Sequence, residues 1–153
     1  MKSTLCPPPA GRVRPIRIVV VDDQWPMTEL MEFILGNLFA GAKIMTFQNR
    51  DRAWEELLRA DPDLLITDMN NQNMPDQPEY SGMSGGELLP LLARRKVKYP
   101  ILVVSGSVSK PGEKRRARKC AGPNLNITFL AKPGVIEEFQ REVKRLLSDD
   151  GMC

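Results

Sequence analysis

Short apolar runs that each end on a polar signal constrain this chain more than any other feature. Ile16-Arg17-Ile18-Val19-Val20-Val21 ends on Asp22-Asp23, and Leu64-Leu65-Ile66-Thr67 ends on Asp68. Ile101-Leu102-Val103-Val104 ends on Ser105-Gly106, and Ile127-Thr128-Phe129-Leu130-Ala131 on Lys132-Pro133. Runs this short, rich in Val, Ile and Leu and separated by helical patterns, predict buried parallel strands. In an open α/β sheet the carboxyl ends of the strands share one edge, where ligands bind. Three carboxylates, a hydroxyl and an ammonium therefore converge on one rim. Three close carboxylates repel unless a cation joins them, so the cluster predicts a divalent metal.

The segments between these runs carry helical spacing. Met27, Leu30, Met31, Ile34, Leu35 and Leu38 form one apolar stripe, with Pro26 suited to the start of a helix. Gly41 turns the chain into a weaker strand, Ala42 to Phe47. Asn49 is an N-cap candidate for a second helix with Ala53, Trp54, Leu57 and Leu58, stopped by Asp61-Pro62. Ser84-Gly85-Gly86-Glu87 reads as a capping box opening a third helix through Lys96, with Pro90 predicting a late start or a kink. A short basic helix is expected between Lys110 and Asn126, closed by Gly122-Pro123. Ile136, Phe139, Val143, Leu146 and Leu147 mark the last helix. Five alternating β-then-α units predict a doubly wound α/β sheet.

Composition narrows the function classes. The 153 residues fit one domain with a real core, at 42% hydrophobic and 27% charged residues. No run approaches the roughly 18 apolar residues of a membrane helix, so a cytoplasmic protein is expected. Cys6, Cys120 and Cys153 lack metal-ligand spacing and read as reduced thiols. The absence of histidine excludes zinc sites and triads that need imidazole. A net charge of +3 does not select nucleic acid as a partner.

Taken singly, the rim signals have ordinary structural readings: Asp22-Asp23 as a solvated turn, Asp68 as an N-cap, the others as loops. Trp25, Trp54, Met27 and Met31 read as packing residues. At four successive strand ends, the signals together resemble the receiver domain of bacterial two-component response regulators, over residues 16 to 147. That resemblance implies a flavodoxin-like (βα)5 sheet with strand order 2-1-3-4-5. It implies a phosphoprotein in a phosphorelay, with Asp68 as phosphoacceptor and Lys132 and Ser105 on the phosphoryl oxygens. Mg²⁺ would be held by Asp23 and Asp68, with Asp22 behind and the Asn70 main-chain carbonyl as a further ligand. Ser105 and Phe129 would form the switch, although receivers often carry Tyr where Phe129 stands.

Two departures stand out. The polar segment from Asp68 to Gly85 is longer than the usual receiver loop and reads equally as a functional lid or partner surface and as tolerated surface growth. The basic stretch Lys110, Lys114, Arg115, Arg116, Arg118 and Lys119 reads as a solvated helix face, then as a surface for an acidic partner, and last as a nucleic-acid site. The expected organisation is a flexible leader at 1–15, a receiver domain at 16–148 and a tail at 149–153. The expected function is signalling rather than enzymatic: a phosphoryl group arrives from a sensor histidine kinase or phosphotransfer protein. Output follows by protein contact or onward phosphotransfer, and a homodimer stays open. The rival readings are a degenerate receiver used as a binding module, and a small Mg²⁺-dependent phosphohydrolase. The dehalogenase-type version of the latter wants a second Asp where Asn70 stands.

Overall fold

The computed structural model describes residues 14–68, 85–105, 115, 118–119, 122–131 and 136–148, with backbone only for 85–87 and Ser105. Five strands form one parallel sheet: β1 (Arg17–Val21), β2 (Lys43–Phe47), β3 (Leu64–Thr67), β4 (Ile101–Ser105) and β5 (Ile127–Ala131). Their order across the sheet is β2-β1-β3-β4-β5. Four helices are described, α1 (Trp25–Leu38), α2 (Arg50–Arg59), α3 (Gly85–Arg94) and α4 (Ile136–Ser148). The predicted doubly wound sheet is the observed one.

Strand side chains alternate between two cores, as a period of two requires. Ile18, Val20, Leu64, Ile66, Leu102, Val104 and Leu130 face one cluster with residues of α1 and α4. Val19, Val21, Leu65, Ile101, Val103 and Ile127 face the other with α2 and α3. Burial on both faces is why these strands are apolar throughout rather than alternating.

Local chemistry sets the helix ends. Pro26 lies in the first turn of α1, where its missing N–H costs little. Asn49 caps α2, its side chain accepting from the N–H groups of Asp51 at 2.7 Å and Arg52 at 3.4 Å. Gly41 adopts φ 77° between α1 and β2, a conformation that glycine takes without a Cβ penalty. Helix α3 runs from Gly85 through Pro90, so of the late start or kink expected from that proline the late start does not occur. It ends at Arg94 rather than Lys96, because Lys96 turns to φ 55° and breaks the helical path. Ser84, of the expected capping box, lies outside the described residues.

Three stripe residues face outward instead of inward. Leu30, Leu58 and Ile136 are exposed, and Phe33 and Trp25 with them. A helix packed on a sheet buries only a band of its surface: in α1 that band is Thr28, Met31, Ile34, Leu35 and Leu38. Leu30 stands beside it. Of the basic stretch, Arg115, Arg118 and Lys119 are described as helical and exposed. Arg118 nonetheless reaches back to the sheet, its Nη2 3.4 Å from the Ile127 carbonyl and its guanidinium 5.3 Å from the Phe129 ring centre. Ile127 belongs to β5, the last strand in the sheet order.

Candidate functional site: an acidic pocket at the carboxyl edge

The parallel register carries the acidic residues to one level. The Asp22 N–H donates to the Phe47 carbonyl and the Asp68 N–H to the Val21 carbonyl, both at 3.0 Å. These bonds continue the ladders β1–β2 and β1–β3 past the last strand residues. Asp22 then turns the chain into α1, its Oδ1 accepting from the Gln24 N–H at 2.9 Å. Asp22, Asp23 and Asp68 each place a carboxylate oxygen within 4.8 Å of the others. Asp22 is 0% exposed and Asp68 1% exposed, so water screens their repulsion poorly.

Asp23 registers this crowding. Its carboxyl is held above the ordinary 3.8, first by burial, then by the charges of Asp22 and Asp68, against opposing effects of Arg50 and of its own backbone N–H. Its Oδ1 is buried with no hydrogen-bond partner. The direction of the shift fixes the sign of a pH effect. A raised carboxyl binds more protons in the folded state than in the unfolded chain, so stability falls as pH climbs from 3.8 through the folded value. In chelator at pH 7, Asp23→Asn is therefore expected to melt a few degrees above the parent. The gain should vanish in scans run below the unfolded carboxyl value, and a pH-independent gain would refute the electrostatic cause.

Sequence reasoning passed over Arg50, the largest fully buried side chain among the described residues. It opens α2, directly beyond the carboxyl end of β2, and its Nη2 donates to the Asp68 main-chain carbonyl at 3.0 Å. Thr67 Oγ1 approaches the same carbonyl at 3.3 Å. The signal was in the chain: Gln48-Asn49-Arg50 is a fifth polar strand end, following the weakest apolar run. Of the other expected site residues, Ser105 ends β4 opposite Ala131 of β5. Phe129 lies half-buried against the α2–α3 side core, beneath Arg118. Asn70 and Lys132 lie outside the described residues. Trp25 is exposed at the first position of α1, beside the rim rather than in the core.

A family model described as the response regulator receiver domain matches residues 18–144. The chain belongs to that family. Solved receiver domains share its fold. The signal receiver domain of an HD domain-containing protein from Pseudomonas fluorescens Pf-5 superposes with a TM-score of 0.69 at 18% identity, covering 90% of this chain and 98% of that one. The response regulator domain of CheB from Thermotoga maritima gives 0.67 at 20% identity, covering 88% and 98%. The signal receiver domain of a signal transduction histidine kinase from Syntrophus aciditrophicus gives 0.66 at 26% identity, covering 87% and 90%. No match was found among curated proteins. As in those receivers, the sheet here is five-stranded and flavodoxin-like. No described helix of this receiver domain is long and apolar enough to cross a membrane.

Proposed function

We propose that this receiver domain is a phosphoacceptor, with Asp68 taking a phosphoryl group in a Mg²⁺-dependent step. The observation that carries the reading is the buried meeting of Asp22, Asp23 and Asp68 at the carboxyl edge. An all-oxygen donor set suits a hard cation, and the buried Asp23 Oδ1 without a partner is what such an ion would satisfy. Asp23 and Asp68 would hold Mg²⁺, with Asp22 behind and the Asn70 main-chain carbonyl added by resemblance to receivers. Bound there, the ion supplies positive charge against the phosphoryl oxygens.

A carboxylate oxygen of Asp68 forms a bond to phosphorus as the donor's P–N bond breaks, the electron pair leaving with the donor imidazole. These 153 residues contain no histidine, so the donor imidazole comes from outside this domain: from a sensor histidine kinase or a phosphotransfer protein. Lys132 and Ser105 take the phosphoryl oxygens in this scheme, a role read from sequence position. Output follows by protein contact, with the Lys110–Lys119 region available to an acidic partner, or by onward phosphotransfer. The site acts in signalling within the cytoplasm, without turnover of a free substrate.

The test needs no cognate kinase. Incubation with acetyl phosphate and Mg²⁺ should add one phosphoryl group by intact mass, and chelator should prevent it. Steady turnover of small phosphoesters would favour a hydrolase instead. No incorporation and no Mg²⁺ binding would leave a binding module.

A further inference from the structure

The acidic pocket contains its own cation. Arg50 is 1% exposed, so a guanidinium charge is buried in the site. A buried charge of that kind persists only beside opposite charge, and the guanidinium, bonded to the Asp68 main chain, sits at the residue whose carboxylate joins those of Asp22 and Asp23. Three carboxylates against one guanidinium leave a formal charge of −2, which one divalent ion neutralises. The same side chain fixes the backbone where the acceptor sits, through the 3.0 Å bond to the Asp68 carbonyl.

We propose that Arg50 is a resident counter-ion and positioning residue of the acidic pocket, which holds the metal-free site together and weakens its affinity for the divalent ion. Like charges compete for the same carboxylates. With the guanidinium present, Asp22, Asp23 and Asp68 tolerate one another without a metal; with a metal present, the guanidinium repels it. The inference rests on the phosphoacceptor reading above and adds to it a residue that sets the Mg²⁺ range over which the site responds.

Calorimetric Mg²⁺ titration of the full chain at fixed ionic strength tests this, with thermal melts in chelator and in saturating Mg²⁺. Arg50→Met removes the charge and is expected to bind Mg²⁺ about tenfold more tightly than the parent. It should lose more stability in chelator than in Mg²⁺. Arg50→Lys keeps the charge and should bind close to the parent, while Arg50→Gln, which keeps an amide donor, should follow Arg50→Met. A merely structural arginine would lower stability equally in both conditions and leave affinity unchanged or weaker. Those results in a folded Arg50→Met or Arg50→Gln, or an Arg50→Lys as tight as the neutral variants, overturn the proposal. A parent that takes up phosphate and binds Mg²⁺ while the variants match it sinks this inference alone. A parent that does neither sinks the phosphoacceptor reading with it.

Discussion

Asp68→Asn is expected to abolish phosphoryl uptake from acetyl phosphate, by at least about a thousandfold in rate, as removal of a nucleophile does elsewhere. The carboxylate is the reacting group, and an amide of nearly the same shape supplies no comparable oxygen nucleophile. Its neighbours do not substitute for it. Asp22 is fully buried and commits Oδ1 to the Gln24 N–H, and Asp23 stands where the cation is expected. Intact-mass spectrometry reads the result directly. A second measurement separates loss of the acceptor from loss of the fold: with one of three like charges gone, Asp68→Asn should melt higher than the parent in chelator and respond less to Mg²⁺. Equal phosphate incorporation in variant and parent would refute Asp68 as the acceptor.

Leu102→Ala is expected to be the most damaging single truncation proposed for the scaffold. Leu102 is 0% exposed in β4, paired with Ile66 on one side and Thr128 on the other, in the core beneath α1 and α4. Removing a buried leucine side chain costs about 2–5 kcal/mol, through lost transfer energy and the cavity left behind. For a chain of this length that lowers the melting temperature by on the order of 10 °C. Leu30→Ala is the control. Leu30 belongs to the same apolar stripe by sequence but is 43% exposed, so its truncation should stay within about 0.5 kcal/mol. Comparable losses from both, in denaturant or thermal melts, would contradict the burial pattern that divides α1.

That pair also marks how far sequence alone reached. The strands were legible because doubly buried strands have no solvent face to obscure their apolar run, and the observed bounds of β3 and β5 match the runs read from sequence. The acidic triad was legible because strand ends must share an edge once the strands are parallel. Leu30, Leu58 and Ile136 were misread because spacing gives a helix face, while the width of the buried band depends on the surface the helix meets. Arg50 was missed for a different reason. A charged residue at a helix start is ordinarily solvated, and its burial follows only from β2 lying beside β1, which brings the start of α2 against Asp68. Lone charges become informative after topology is known.

The reach of Arg118 onto β5 bears on how this sheet avoids other sheets. The Asn126 carbonyl faces inward to the Ile101 N–H at 2.8 Å, so by alternation the Ile127 carbonyl points away from β4, toward the outer side. An outward row of such groups invites a strand from another molecule. Arg118 occupies that acceptor and spreads its guanidinium over the neighbouring Phe129 ring, setting a positive charge where an incoming strand would have to lie. Arg118 thus sets a hydrogen bond and a charge on the outer side of the edge strand, where an added strand would otherwise pair.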